Sequence, residues 1–549
     1  MGSIAPSSQD VARERLQALV PTLSDIRETT ATPSFSAGVL HNGSIIFTHH
    51  EGVRDVDSNQ PSPVDEKTIY MLGSLTKAFV SASCGILVDE GKLNWESPIS
   101  QYIPFKQTSD PIISSRANLL DALSHSTGFP QIDVSWYGAQ GETIIPPEEL
   151  LHIVNNIPVF PDFRAKFHYT NWMYALVGRI IEAHGGKDAD GGWGAFVRRR
   201  ILQPLQMSRS CSNRADLPDT NFAEPHTALD NGKPGRLPVP QFSDKTLTGA
   251  SAAVWSTVPD LLKWASAILN RLEIEDTAGQ STPPTDSENP LRQMSTIMAH
   301  RFHVTENTVN ENSYALGWAR HIIPSSHLGW LSTNGPQQKH IIGKQSRPRM
   351  LFYHGGQITG YLNSLYIFPE TKSAVVVLTN AQGAGDCSDL VARAIIQELF
   401  DLQPSLDFRA MATDICKEQL GAYGKMKSEY ESHRKKDTPC PQNEELIGRY
   451  VNTNIRVTLS IFQDQEGLAM DINERASQRH RLTHYHDCTF GFLPASREEQ
   501  QLRCLVDYFV YTQFLISFHR TGGSGEIKVL SWKMQEDFPA LHFEKTNDN

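Results

Sequence analysis

The sequence predicts an α+β fold, an α/β sandwich on an antiparallel sheet with a helical region inserted into it, followed by a C-terminal all-β barrel. Three observations carry that reading: strand-like runs at both ends of residues 1–404, apolar helices between them, and closely spaced β-rich runs beyond residue 444. The 549 residues hold 50 Lys+Arg against 61 Asp+Glu, a formal charge of −11, with 39 % apolar and 20 % charged residues. These are the proportions of a folded soluble chain, and the acidic balance disfavours a nucleic-acid partner. No apolar run approaches the roughly 18 residues that cross a bilayer, so no membrane partner is expected.

Taken in order, Val11 to Arg27 is amphipathic and reads as a helix. SFSAGVLHNGSIIFTHHEG follows, two alternating runs joined by Asn42-Gly43, a pair that accepts the positive φ of a tight hairpin turn. From about residue 70 to 270 the pattern becomes helical, as in LTKAFVSASCGILVDEGKL and NWMYALVGRIIEAHGG. Strands return with RMLFYHGG, YLNSLYIFP and SAVVVLTN, and SDLVARAIIQELF reads as a closing helix. The simplest closure makes one sheet from both ends, packed on the first and last helices. GQSTPPTDSENP near 279–290 and the segment from Ser325 to Arg349 read as polar, mobile surface loops. The charged stretch 405–443 reads as a solvated helix and linker, and 444–549 as the barrel domain.

Seven cysteines at 84, 211, 387, 416, 440, 488 and 504 form no CxxC pair, so neither a zinc finger nor a dithiol motif is present. MGSIAPSSQDVARERLQALV lacks the basic start and apolar core of a secretory signal, and Pro6 breaks the myristoylation pattern. Free thiols and a missing signal point to the cytoplasm. His484 and His486 share one face of a predicted strand, but satisfied barrel histidines are the preferred reading, so no metal or cofactor is assigned.

The chemistry is concentrated in Gly73-Ser74-Leu75-Thr76-Lys77. Ser74 opens an apolar helix, and Lys77 lies one turn on, on the same face. A serine hydroxyl needs an adjacent base, and a buried lysine can serve. The spacing alone is weak, because Ser432 and Lys435 repeat it in the charged segment. Likewise Tyr169-Thr170-Asn171 is repeated at Tyr361–Asn363 and Tyr450–Asn452, and His354-Gly355-Gly356 at His184–Gly186.

Order separates motif from copy. Ser-x-x-Lys before a buried helix, Tyr-x-Asn before another, and His-Gly-Gly closing a strand resemble the serine β-lactamase and penicillin-binding-protein superfamily, in particular class C β-lactamases and related esterases, D-peptidases and acyltransferases. LLDALSHSTGFP, FVRRRILQPLQM and YALGW resemble further landmarks in the same order, over roughly residues 10–405. The resemblance implies a β-lactamase/transpeptidase-like fold and a lipocalin-like C-terminal barrel. It makes Ser74 the acylated nucleophile, Lys77 the group that helps deprotonate it, and Tyr169 the proton shuttle. Asn171, His354, Gly355, Gly356 and Gln357 would bind substrate, the glycines letting it lie along the strand edge. The backbone N–H groups of Ser74 and Gln357 would form the oxyanion hole.

One residue departs from the pattern: class C β-lactamases carry lysine where this chain has His354, and a mostly neutral imidazole would anchor a substrate carboxylate weakly. An esterase or amidase acting on a small molecule is therefore expected. An acyltransferase of secondary metabolism, with a carrier-bound acyl donor, and a catalytically dead binding protein are the alternatives. Neither acceptor nor oligomeric state is legible.

Overall fold

A computed structural model of the chain describes residues 8–277, 288–304, 310–335, 340–521 and 525–546. Asn42 and Gly43 adopt φ of 50° and 74°, and the turn they make joins strands Ser34–His41 and Ser44–Gly52. The first of these strands pairs antiparallel with Ser373–Thr379, Gly38 opposite Val376, so the two ends of the sandwich do close one sheet. Tyr361–Phe368, Arg349–Ile358, Ala319–Ile323, Asn312–Tyr314 and Phe302–His303 complete its eight strands in that order.

The run SAVVVLT is apolar throughout because both faces of its strand are covered. Val375 and Val377 join a core under helices Ser8–Thr29, Cys387–Phe400 and Phe408–His433, whereas Ala374, Val376 and Leu378 face the inserted helical region. Helix Val258–Thr277 lies so close to the sheet that a Cβ on Gly38 would stand 2.5 Å from Val258. The architecture is the β-lactamase/transpeptidase-like fold.

Residues 278–287, most of the first expected loop, lie outside the described residues. The segment Ser325 to Arg349 is not the solvated loop its composition suggests, in the parts that are described. Leu328 and Ile342 are buried, and Asn334 Nδ2 donates to Asp389 Oδ2 at 3.0 Å and to the Asp386 carbonyl at 3.0 Å. A few apolar anchors and one satisfied amide outweigh the polar average.

Helix Phe408–His433 buries Phe408, Met411, Ala412, Ile415 and Tyr430 and leaves most of its other side chains to solvent. It ends against the barrel, where Tyr430 meets Tyr485 at 4.6 Å between ring centroids. The barrel is a nine-stranded antiparallel ladder from Gly448–Asn452 to Leu541–Lys545. Its end strands, Arg475–Arg481 and Thr483–His486, are neighbours in sequence but unpaired, so it is nearly closed. Side chains including Tyr450, Leu459, Met470, Phe518 and Trp532 are buried within it.

The barrel is bonded to the sandwich through side-chain amides. Gln535 Oε1 accepts from the backbone N–H groups of Gln131 and Ile132 at 2.8 and 3.2 Å. Gln478 accepts from Ala139 N at 2.6 Å and donates to Ala139 O at 3.0 Å. Among the described residues no helix is long and apolar enough to cross a membrane.

Candidate active site

The turn that carries Ser74 is made by two close backbone approaches. Gly73 has φ +58°, and a Cβ there would lie 2.8 Å from the Gln357 carbonyl oxygen. Across the same contact a Cβ on Gly356 would lie 2.0 Å from the Leu72 carbonyl oxygen, and one on Gly355 would lie 2.4 Å from that of Leu331. Gly355 and Gly356 are therefore needed because the protein's own backbone packs on them. The glycines expected to clear a path for substrate thus make room first for the protein's own backbone. Asn363 Nδ2 adds a 2.9 Å hydrogen bond to the Met71 carbonyl, fixing the approach to the turn. Gly356→Ala is expected to cost about 1–3 kcal/mol through overpacking and to lower turnover by displacing Ser74; thermal unfolding and initial rates measured on one preparation check both effects.

Ser74 sits in the single 3₁₀ turn Gly73–Leu75 ahead of helix Thr76–Asp89 and is half-buried. Lys77 is wholly buried, its Nζ 3.0 Å from Ser74 Oγ, 2.8 Å from Asn171 Oδ1 and 3.1 Å from the Ser251 carbonyl. Burial lowers its pKa from 10.5 to about 7, against the Asp133 carboxylate, which favours the charged form. Tyr169, also half-buried, donates its hydroxyl to Ser74 Oγ at 3.0 Å. Desolvation holds that phenol well above its ordinary value, so at rest it is a proton donor.

Asn171 opens helix Asn171–His184 and does not present a free amide. Its Oδ1 accepts from Lys77, and its Nδ2 donates to Asp133 Oδ2 at 2.9 Å. His354 also differs from the substrate-contacting role expected of it. It is 1 % exposed, its Nδ1 donates to the Gly355 carbonyl at 2.6 Å, and its Nε2 accepts from the Tyr314 hydroxyl at 2.8 Å. Burial, reinforced by Lys77, pushes it down to about 3, so it is neutral. Tyr314 in turn packs on His125 at 4.9 Å, and His125 on Tyr169 at 4.3 Å, giving a row of rings behind the phenol. Gln357 is half-buried, with its backbone against Gly73.

Sequence reasoning missed Asp133, which also accepts from Gln131 Nε2 at 2.9 Å and from the Trp136 indole at 3.0 Å. Burial raises its carboxyl to about 6. No spacing rule marks it, since nothing near it in sequence repeats the chemistry. The repeated motifs serve structure. Ser432, exposed, donates to the Glu429 carbonyl at 2.8 Å, and His184 donates to that of Tyr102 at 3.0 Å. Tyr361 and Tyr450 donate to the Ala223 and Leu446 carbonyls, each at 2.9 Å.

Two cavities open beside the cluster. One of about 490 Å³ is lined by Asp133, Phe167 and Tyr169 from the sandwich and by Asp507, Phe509 and Gln535 from the barrel, among others. The other, of about 450 Å³, includes Gln357, Leu362, Met426, Val506, Tyr508 and Phe509. Barrel and sandwich thus share the walls of both.

A reachable serine hydroxyl held between a buried amine and a phenol, on this fold, defines a serine hydrolase. The chain belongs to the Beta-lactamase family, whose model matches residues 19–399. The unguisins hydrolase ungD′ of Aspergillus campestris is 22 % identical to it over 497 residues, 86 % of this chain and 81 % of the relative. The octameric penicillin-binding protein homologue from Pyrococcus abyssi shares the fold with a TM-score of 0.55 at 18 % identity, covering 94 % of this chain and 96 % of its own. A class C beta lactamase from Rhodobacter sphaeroides does so with a TM-score of 0.51 at 18 % identity, over 71 % of this chain and 99 % of its own.

Proposed function

We propose that the protein cleaves an ester or amide of a small molecule through an acyl-enzyme on Ser74. The observation that carries this reading is the placement of Lys77 Nζ and Tyr169 Oη, each 3.0 Å from Ser74 Oγ. A neutral Lys77 has two N–H bonds and one lone pair. With the N–H bonds given to Asn171 Oδ1 and the Ser251 carbonyl, the lone pair faces the serine hydroxyl. Lys77 takes the hydroxyl proton as Ser74 Oγ bonds to the substrate carbonyl carbon, and the oxyanion is received by the N–H groups of Ser74 and Gln357. Tyr169 gives its proton to the leaving oxygen or nitrogen as that bond breaks, and regains one from Lys77. Water then repeats the sequence on the acyl-enzyme and releases the acid.

The likeness to a relative named a hydrolase favours water as acceptor. An alcohol or amine in its place, with a carrier-bound donor, would make the same intermediate an acyl-transfer species. A carboxylate-bearing substrate such as a penicillin fits less well. His354 is neutral, and among the described residues lining the cavity beside Tyr169 there is no lysine or arginine. All seven cysteines are unpaired, which suits the reducing cytoplasm we assign to it.

The test is intact-protein mass after treatment with a fluorophosphonate, with p-nitrophenyl esters and D-amino-acid anilides assayed with and without added alcohols. One adduct mapping to Ser74 is expected; a folded preparation that acquires none would leave a binding protein on a hydrolase scaffold.

A further inference from the structure

Tyr169 has to reach both Ser74 Oγ and the leaving atom, yet its ring is only half-buried and its 3.0 Å hydrogen bond is to the group that reacts. Its orientation is set from elsewhere in the chain. His125 is wholly buried, and three of its contacts converge on Tyr169. The His125 carbonyl accepts from His168 N at 2.8 Å, its ring Nδ1 accepts from Thr170 N at 3.1 Å, and its ring lies 4.3 Å from that of Tyr169 between centroids. The neighbours of Tyr169 on both sides and the phenol itself are thus held by one residue. The rings of Tyr314, Tyr174 and Phe167, at 4.9, 5.3 and 5.5 Å, pack on the imidazole in turn.

Filling space does not by itself account for an imidazole here. Because Nδ1 accepts, the ring proton sits on Nε2, which is buried with no hydrogen-bond partner among the described residues. A buried N–H left unmet is destabilising, and a phenyl ring would occupy the same volume without one. What the imidazole adds is the acceptor that fixes the peptide joining Tyr169 to Thr170.

We propose that His125 is a positioning residue for proton transfer at Tyr169, holding the phenol where its hydroxyl meets both Ser74 Oγ and the leaving atom. The inference rests on the acyl-enzyme reading above. The transferred proton does not pass through His125, since Nδ1 is occupied by Thr170 N–H and Nε2 has no partner among the described residues. The step that depends most on His125 is the second one. There the water oxygen bonds to the acyl carbon as Lys77 takes its proton, the bond from carbon to Ser74 Oγ breaks, and Tyr169 gives its proton to that oxygen. A serine alkoxide is a poor leaving group and needs the proton, whereas a nitrophenolate departs as a stable anion. A displaced phenol therefore slows deacylation more than it slows acylation by a p-nitrophenyl ester.

The experiment uses the full chain and the p-nitrophenyl ester that the wild type turns over fastest. His125→Asn suits the left-handed backbone at this position, φ 60°, and keeps an acceptor near the place of Nδ1, but loses the ring. His125→Phe keeps the ring and loses the acceptor, and serves if the first variant does not fold. Either should lower kcat about 10–100-fold and kcat/KM by less, with acyl-Ser74 accumulating in intact-protein mass during turnover. The folded variant is then combined with Tyr169→Phe. Its effect on deacylation should shrink there to within about two-fold, because the group it positions is gone. The same fold-loss in both backgrounds is what a merely structural role would give. That result, or an unchanged kcat in a folded single variant, would overturn the proposal and leave the hydrolase intact while Ser74 still labels with fluorophosphonate. Failure of Ser74 to label in the wild type would remove both.

Discussion

Ser74→Ala is expected to abolish turnover, lowering kcat by at least about 10⁴-fold, with the fold preserved. In the proposed reaction the hydroxyl is the atom to which the acyl group is joined, and neither neighbour replaces it: Lys77 is buried behind it, and Tyr169 is held protonated by desolvation. Its packing contribution is small, because Ser74 is half-buried and begins a helix that Leu75, Phe79 and Val80 anchor in the core. Removing it leaves Lys77 with Asn171 Oδ1 and the Ser251 carbonyl as partners. One lost hydrogen bond of this kind costs about 1 kcal/mol. Kinetics and calorimetry on the same sample check the prediction, with Ser432→Ala as a control that should behave as wild type. A Ser74→Ala protein retaining a tenth of the rate would place the nucleophile elsewhere.

Lys77→Ala should lose about 10²–10⁴-fold in kcat, the range for a positioned general base, and should also change the pH profile. Lys77 accepts a proton only when neutral. Its pKa is lowered to about 7, so below that pH most molecules carry an ammonium with no lone pair. In the wild type kcat/KM should therefore rise with pH through a midpoint near 7 and level off above it, an acid limb and no loss on the alkaline side from this group. Burial sets that midpoint, and Asp133 opposes it by stabilising the charged form. In Lys77→Ala the residual rate should show no limb near 7. A wild-type rate constant across pH 5–9 would contradict the base role, whatever the variant's stability.

The antiparallel sheet was legible because its strands carry their own signals: alternation in SFSAGVLH, a continuous apolar run in SAVVVLT, and Asn42-Gly43 where a positive φ was needed. Ser74, Lys77 and Tyr169 were legible as types in order, and the structure brings all three within hydrogen-bond reach. The copies at Ser432, His184, Tyr361 and Tyr450 could be set aside because their surroundings differed. The described parts of the segment from Ser325 to Arg349 were misread because composition averages over a stretch, whereas Leu328, Ile342 and Asn334 anchor them individually. His354 was misread for a related reason. Its motif position places it on a strand that passes Ser74, a strand that runs on through Gly355 and Gly356 to Ile358 where the sequence suggested an end, and does not say whether its ring faces solvent or Tyr314.

By itself, the sequence determined the types of most elements, the closure of one sheet from two distant ends, and that Ser74, Lys77 and Tyr169 belong to one set. Periodicity and turn chemistry are local, and an ordered set of motifs survives in one dimension. Only the tertiary structure decided that Lys77 is desolvated, that Asp133 lies close enough to act on it, that Gly355 and Gly356 yield to backbone, and that Phe509 reaches the cleft from the barrel. Each of these depends on how deeply a group is buried and on what stands against it from far along the chain, and both are set by packing in three dimensions.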